Sequence, residues 1–205
     1  MKFISDIKVE LIQQMGGDHM VVAAAKVSTN GEDALQCAKP GAAEDCKGLI
    51  NYLMKQKHGT PFEHSALSFY VHAPIFVWRE WHRHRIGFSY NEESGRYKTL
   101  DPVFYMPPRS RPMMKVDSWK AGRPKFTVCD SQLTYDKLCD NLRYSYQVAY
   151  EMYENNLALN IDPGLARDCL PVGIYSACWV TCNPRSLMSF IALRVHEPTA
   201  KHVSY

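Results

Sequence analysis

The sequence predicts a single domain of mixed α and β structure over residues 1–205. Stretches in which apolar and polar residues alternate, as in a strand with one buried face, interleave with stretches whose apolar residues recur every three or four positions, as in a helix. At 205 residues and 46% hydrophobic composition, the chain is long enough to bury one substantial core. It has no internal repeat or low-complexity tract, which favours one compact unit.

The first half of the chain moves back and forth between the two patterns. Gly16, Gly17 and Asp18 supply a turn and a helix cap after the first strand, and Pro74 suits the first turn of a later helix. The predicted elements are a half-buried strand over 7–13, helices over 19–27 and 42–57, a half-buried strand over 65–71, and a helix from 75 to about 85.

The second half opens on a segment without periodicity. Residues 101–127 hold five prolines and mixed charge, which predicts irregular structure or a mobile flap. The longest helical pattern follows, and the remaining elements are short. They are predicted as a helix over 130–156, a short helix over 163–169, a β-rich run over 174–182 and a helix over 184–193.

The composition argues against several classes of protein. The 24 lysines and arginines against 21 acidic residues leave a net charge of +3, too small for a dedicated nucleic-acid binder. No apolar run approaches the roughly 18 residues of a membrane span, and the first residues lack a secretory signal. Seven scattered cysteines fit reduced thiols and match no zinc spacing. We therefore expect a cytoplasmic protein without a metal, a membrane or a nucleic acid.

The densest chemistry lies between Arg83 and Tyr97. These fifteen residues hold three arginines, one histidine, two serines, one asparagine and two glutamates. Arginine offers a planar fork of donors that suits phosphate and carboxylate, and the pair Ser94-Gly95 lets backbone N–H groups approach an anion closely. The segment predicts a phosphate-binding site.

Two other groups of residues have the same character. One is the segment His58 to His64, and the other joins Arg167 to the segment Asn183 to Arg194. Pro184 suits a first helical position, so the positive end of a helix dipole would lie beside Arg185. Each group is able to bind an anion.

Together these residues resemble the flavin-dependent thymidylate synthases, the ThyX family. The family signature is an Arg-His-Arg triplet, a short spacer and a Ser-x-Asn-Glu-x-Ser-x-Arg-Tyr pattern, and Arg83 to Tyr97 contains every part of it. Supporting segments match at 58–64, 73–77, 166–171 and 183–194, so the resemblance covers roughly residues 7–197. It implies an α+β fold with a central, mostly antiparallel sheet.

The resemblance also implies a reaction, the reductive methylation of deoxyuridine monophosphate (dUMP) to thymidylate. Methylenetetrahydrofolate would supply the carbon, and FAD reduced by NADPH would supply the hydride. A homotetramer with shared active sites is the family's usual assembly. Because flavin chemistry replaces a protein nucleophile in this family, no activated cysteine is required.

Residue roles carry over by position. Arg194 and Ser94 are the expected catalytic residues: Arg194 would stabilise charge on the uracil ring, whereas Ser94 would bind the nucleotide and not attack it. The expected dUMP-binding residues are Glu80, Ser94, Gly95, Arg96, Arg194 and, from another subunit, Arg167. The expected FAD-binding residues are His58, Thr60, Arg83, His84, Arg85, Glu92, Asn183, Arg185 and Ser189.

The chain departs from the family pattern at a few places. Three residues separate Arg85 from Ser89 where most members have two. Glu80 stands where a glutamine is common, and Ser189 where an asparagine is usual. Family members also continue further beyond Arg194, so we expect a C-terminally short version of the fold.

Two other functions remain open on the sequence. One is a single-stranded nucleic-acid-binding module, in which arginines follow the phosphates and aromatic rings stack on bases: Arg83, Arg85, Arg96, Phe88, Tyr90 and Tyr97. The other is a relative that binds the nucleotide or the flavin without catalysis.

Overall fold

A computed structural model describes residues 1–39, 46–116 and 126–194. Its centre is a four-stranded antiparallel sheet in the order β2, β3, β8, β4. These strands span Lys8–Met15, Ala66–Pro74, Tyr175–Cys182 and Phe88–Glu92 respectively. The predicted α+β class with a mostly antiparallel sheet is therefore confirmed.

Short strands accompany this sheet. β1 (Lys2–Ile4) pairs in parallel with β5 (Val103–Tyr105), and β6 (Met114–Lys115) pairs with β7 (Phe126–Thr127). Residues 101–127 were predicted to be irregular, so this prediction is wrong at β5, β6 and β7, while residues 117–125 lie outside the described part. The backbone partners of β5 are remote in sequence, and local periodicity cannot reveal them.

Six helices surround the strands within the described ranges. They are α1 (Asp18–Asn30), α2 (Lys47–Lys55), α3 (Ile75–Trp81), α4 (Gln132–Ala158), α5 (Pro163–Ala166) and α6 (Pro184–Arg194). Short 3-10 helices span Gly31–Ala38, Thr60–Glu63 and Arg167–Cys169. Residues 42–45 of the predicted second helix lie outside the described part. None of the described helices is both long enough and apolar enough to cross a membrane.

Side-chain caps explain where the later helices begin. The Ser131 hydroxyl accepts a hydrogen bond from Thr134 N at 3.2 Å and caps α4. The Asp162 carboxylate accepts one from Leu165 N at 3.1 Å, and Pro163 fills the first position of α5. The Ser131 cap fixes the start of α4 close to the predicted residue 130, and the Asp162 cap fixes the start of α5.

Helix α3 is shorter than predicted. It ends at Trp81 instead of near residue 85, and turns lead into β4, which the sequence did not predict. Gly87 has φ +68°, a conformation that favours glycine, and this residue redirects the chain into the strand. The short helix leaves Arg83, His84 and Arg85 in the connection between α3 and β4.

Buried side chains form one cluster around α4 and another around α3. One cluster packs α4 against β5 and the start of β8: Leu100, Phe104, Tyr146, Tyr150, Tyr153, Ala166 and Ile174. A second packs α3 against the sheet: Val71, Ala73, Val77, Trp78, Cys178 and Val180. Trp78 Nε1 donates to Ala73 O and Ser176 O, both at 3.1 Å, so α3 is fixed to two neighbouring strands.

Strand β2 differs from its predicted half-buried state. All eight of its residues are exposed, and Val9, Leu11, Ile12 and Met15 are apolar. The alternation in the sequence is real, but it belongs to an edge strand that no described element covers.

Candidate active site

Aromatic side chains join α3, α6 and β4 beneath the Arg-His-Arg segment. The ring of Phe190 on α6 stacks on Trp81 at 4.8 Å and meets His84 edge-on at 4.9 Å. Phe88, the first residue of β4, lies 6.0 Å from Phe190 between ring centroids. Tyr90 of β4 donates a hydrogen bond to His84 O at 2.7 Å. These contacts fix the connection on which Arg83, His84 and Arg85 lie.

Arg194 closes onto this connection from the end of α6. Its Nε donates to His84 Nε2 at 3.2 Å, and one terminal nitrogen donates to Glu80 O at 3.2 Å and lies 3.8 Å from the Glu80 carboxylate. The expected ring-binding arginine and the expected nucleotide contact Glu80 therefore lie together.

His84 is neutral in this arrangement. Burial lowers its pKa below the ordinary value, and the positive charges of Arg194 and Arg83 lower it further. The neutral ring is the form that accepts the hydrogen bond from Arg194. The contact is therefore favoured at neutral pH and is lost as pH falls through the lowered pKa.

The amino end of α6 meets the connection at Gly87. Asn183 Oδ1 accepts a hydrogen bond from Ser186 N at 2.8 Å, and Asn183 N donates to Gly87 O at 3.3 Å. A Cβ on Gly87 would lie 2.2 Å from Ser186 Oγ and 2.7 Å from Asn183 Nδ2. Only glycine therefore fits here, both for its φ and for the space available.

Arg185 links α6 to the segment after α2. Its guanidinium forms an ion pair with Glu63, and it packs so closely on Gly59 that a Cβ there would lie 2.6 Å from Nε. The segments around residues 59–63 and 183–185, which are far apart in sequence, thus form one wall.

These elements enclose a cavity of about 560 Å³. Five of the expected FAD-binding residues line it: Arg83, His84, Arg85, Arg185 and Ser189. Four further lining residues were not predicted: Glu63, Ile86, Phe88 and Ser186. Glu63 and Ile86 stand inside the segments that the sequence had singled out, but their spacing gave no sign of which side chains face inward.

The other expected flavin residues lie outside the cavity lining. His58 and Thr60 are exposed on the segment that contacts Arg185 through Gly59, and Asn183 supports the wall as the cap of α6. Glu92 ends β4, where its carboxylate lies 4.0 Å from His82 Nε2. The structure therefore places five of the nine predicted residues in the cavity lining and the other four outside it.

A second polar site lies beyond the far end of β4, and we call residues 94–98 the anion turn. Ser94 Oγ accepts hydrogen bonds from Arg96 N and Arg96 Nε at 3.4 and 3.3 Å. Gly95 is buried against Arg167, whose Cδ would lie 3.0 Å from a Cβ on that glycine. Gly95 and Arg167 thus lie side by side within one chain, next to Ser94 and Arg96.

The charges of the two arginines are not neutralised. In the described part of the chain, no carboxylate forms an ion pair with Arg96 or Arg167. Arg96 lies over the Tyr97 ring at 5.0 Å, which orders its guanidinium without cancelling its charge. Two uncompensated guanidinium groups beside a Ser-Gly backbone form a suitable site for a phosphate.

The expected nucleotide residues therefore fall into two groups. Glu80 and Arg194 lie near the cavity, whereas Ser94, Gly95, Arg96 and Arg167 lie past the opposite end of β4. A five-residue strand separates them, roughly 13 Å from first to last residue at the usual rise.

Two cysteines of β8, Cys178 and Cys182, lie buried beside β4. Burial raises the pKa of both Cys178 and Cys182 to about 11, so both are neutral thiols at pH 7. Their positions on β8 place them under the sheet, in its core face. Neither thiol has the character of a nucleophile.

The cavity suits an anionic cofactor. Its lining holds Arg83, Arg85 and Arg185, and Ser186 from the first turn of α6, which are donors that a phosphate group can use. Its volume is in the usual range of small-molecule sites. Among the described residues, no group of three or more histidine, cysteine, aspartate or glutamate side chains is placed to hold a metal ion.

Solved structures resemble this fold closely. PolB, described as a UMP/dUMP methylase from Streptomyces cacaoi and bound with 5-Br dUMP, has a TM-score of 0.84 and 40% sequence identity, covering 100% of this chain and 85% of PolB. The same protein bound with 5-Br UMP has a TM-score of 0.81 and covers 99% of this chain and 83% of PolB.

Sequence comparisons agree with the structural ones. A family model described as "Thymidylate synthase complementing protein" matches residues 10–203. The flavin-dependent thymidylate synthase of Streptomyces avermitilis is 46% identical over 99% of this chain and 81% of that protein, and the Streptomyces coelicolor enzyme is 47% identical over 98% and 80%. The fold, the arginine-lined cavity and these matches together show that the chain belongs to the flavin-dependent thymidylate synthase family.

Proposed function

We propose that residues 1–205 form one catalytic domain that methylates dUMP to thymidylate, with methylenetetrahydrofolate as the carbon donor and FAD as the cofactor. The observation that carries the proposal is the pair of arginines at the anion turn, Arg96 and Arg167, neither of which forms an ion pair within the described residues. PolB, which has the same fold at 40% identity, binds a dUMP analogue. The nucleotide phosphate would bind at Ser94, Gly95, Arg96 and Arg167.

FAD fits the arginine-lined cavity. Arg83, Arg85 and Arg185 would hold its phosphates, and the cavity's serines would contact its polar edges. His84, Ser189, His58, Thr60, Glu92 and Asn183 complete the proposed set, the last four from outside the cavity lining. When bound there and reduced by NADPH, the flavin would supply the hydride that converts the transferred carbon to a methyl group.

Arg194 is the proposed catalytic residue that acts on the pyrimidine ring. A ring that accepts a carbon at C5 develops negative charge at its O2/N3 edge, and a guanidinium there stabilises that charge. In the free protein Arg194 contacts the carboxylate of Glu80 and the neutral ring of His84. Both contacts hold its guanidinium beside His84, which lines the cavity. The neutral cysteines support a route without a protein nucleophile.

The active enzyme is proposed to be a cytoplasmic homotetramer with shared sites. The separation of Arg194 from the anion turn supports sharing, because a neighbouring subunit can bring the two groups to one nucleotide. Exposed apolar residues on β2 and β8 support assembly: Val9, Leu11, Met15 and Trp179. All seven cysteines are free, as in a reducing compartment.

Thymidylate formation from dUMP, methylenetetrahydrofolate and NADPH, measured with and without added FAD, tests the function. We expect product that depends on FAD. Arg194→Ala should lower the turnover by at least about 100-fold, since it removes transition-state stabilisation, while flavin binding is retained. A folded wild-type protein that makes no thymidylate would overturn the proposal, and a normal turnover in Arg194→Ala would overturn the role of that residue.

A second candidate substrate is UMP, because the structural relative PolB also binds 5-Br UMP. The same assay with UMP in place of dUMP measures the preference. Methylation of UMP and dUMP with comparable kcat/KM would show that this chain accepts both nucleotides. Methylation of dUMP alone would exclude UMP as a substrate.

A further inference from the structure

The carboxylate of Glu93 fastens the anion turn to the sheet. Its side chain is 18% exposed, and Oε2 accepts a hydrogen bond from Ala177 N at 3.3 Å. Glu93 N also donates to Ala177 O at 2.8 Å. Both the main chain and the side chain of this residue therefore continue the pairing of β4 with β8 by one step, immediately before Ser94.

The other oxygen of Glu93 reaches across the turn to Lys98. Lys98 Nζ donates to Glu93 Oε1 at 2.7 Å and to Asp101 Oδ2 at 3.0 Å. Backbone hydrogen bonds close the same turn, because Tyr97 N and Lys98 N both donate to Ser94 O, at 3.0 and 3.2 Å. The ion pair between residues 93 and 98 therefore spans the segment that holds Ser94, Gly95 and Arg96.

The two cations of the turn, Lys98 and Arg96, differ in their partners. Lys98 is directed onto two carboxylates, so its charge is neutralised locally. Arg96 has no such partner in the described part of the chain, and its guanidinium lies over the Tyr97 ring. The guanidinium of Arg96 is therefore better placed to bind an anion than the ammonium of Lys98, which two carboxylates hold.

We propose that Glu93 and Lys98 form a clamp that positions the phosphate-binding residues of the nucleotide site. The clamp touches neither the pyrimidine ring nor the cofactor, so Glu93 is a positioning residue and not a catalytic one. It acts by fixing Ser94 and Arg96 relative to Arg167, which raises affinity for the phosphate group without changing the chemistry at the ring. This inference rests on the proposed function of the anion turn.

Two variants remove the clamp from opposite sides. Glu93→Gln keeps an oxygen that can accept from Ala177 N but loses the charge that holds Lys98, and Lys98→Met removes the cation from an exposed position. In the flavin-loaded enzyme, each should raise the Kd for dUMP about tenfold, and the double variant should be no weaker than the single ones. The kcat at saturating dUMP should stay within about twofold, and inhibition by deoxyuridine, which lacks the phosphate, should be unchanged.

Asp140→Asn is the control, because it breaks another local ion pair, the exposed one with Arg143, on helix α4. Its dUMP affinity should equal that of the wild type. If dUMP binding in the wild type is tight but neither clamp variant weakens it, the clamp is overturned and the proposed function stands. If the variants lose flavin, dUMP and deoxyuridine binding alike, Glu93 merely supports the fold. A wild type that binds no dUMP overturns both proposals.

Discussion

Single residues decide how closely α6 approaches the Arg-His-Arg connection. Gly87 has a positive φ, and its missing side chain leaves room for Ser186 and Asn183. Gly31 also has a positive φ, +52°, but a Cβ there would meet nothing within 4 Å. The chain thus offers two glycines that share a backbone conformation and differ in crowding.

Gly87→Ala should lower the free energy of unfolding by about 2–4 kcal/mol, because backbone strain and steric overlap add. Gly31→Ala should cost about 1 kcal/mol from backbone strain alone. Urea unfolding of both variants measures the difference. Equal losses would show that crowding at α6 contributes nothing, and an intact affinity for FAD in Gly87→Ala would contradict the placement of the cofactor beside this contact.

At the scale of elements, α4 holds the far end of the segment that follows the anion turn. Tyr153 is fully buried, and its hydroxyl accepts a hydrogen bond from Leu100 N at 3.1 Å. Tyr150 donates to Leu100 O at 2.9 Å from the neighbouring turn of the helix. Both backbone groups of this buried leucine are therefore satisfied by one helix.

Tyr153→Phe should destabilise the protein by about 1–3 kcal/mol, because it leaves the buried N–H of Leu100 without a partner. Hydrogen exchange at that amide should accelerate, which distinguishes this local effect from general loosening. Tyr144→Phe, on an exposed part of the same helix, should change stability by less than about 0.5 kcal/mol. Unaltered exchange at Leu100 in Tyr153→Phe would mean that another group satisfies the amide.

The elements that could be predicted are those whose pattern is local. Helix α4, the strand β8 and helix α6 all lie within a few residues of their predicted bounds, because each buries a regular apolar face or starts at a polar cap. Strands β1 and β5 were missed because their pairing joins residues about 100 positions apart. β4 was missed because most of its residues were interpreted as part of the family signature. The alternation of Phe88 and Tyr90, which pack against the core, was therefore not interpreted as a strand.

The site was predictable in its chemistry and not in its arrangement. The density of arginine between residues 83 and 97 predicted anion binding, and the family resemblance assigned individual arginines to the flavin. They did not show that Glu63 would pair with Arg185, or that Arg194 would contact His84. Those contacts depend on the crossing of α6 over the connection after α3, which only tertiary packing determines.

At the scale of the whole molecule, the exposed side of the sheet is the proposed assembly surface. Trp179 is 45% exposed in the middle of β8, in register with Tyr70 on one neighbour and Asn91 on the other. A large aromatic residue at this position would be covered in a tetramer.

Trp179→Glu should convert the proposed tetramer to smaller species, because it would introduce a charge into the proposed apolar contact. Trp179→Phe, which retains an aromatic ring, should leave the assembly intact. Size-exclusion chromatography with light scattering measures the mass of each. A glutamate variant with the mass of the wild type would exclude this face from the assembly, and a wild-type monomer with full activity would contradict shared sites.

The attachment of β1 has a consequence for how the chain acquires its structure. Residues 2–4 pair with residues 103–105, and Tyr175 donates hydrogen bonds to the carbonyls of Ile4 and Asp6, at 3.4 and 3.2 Å. During synthesis this segment leaves the ribosome long before either partner exists. Its strand partner is made about 100 residues later and Tyr175 about 170 residues later, and such remote contacts slow folding. Docking of β1 is therefore expected among the last steps of folding, after the central sheet has closed around β8.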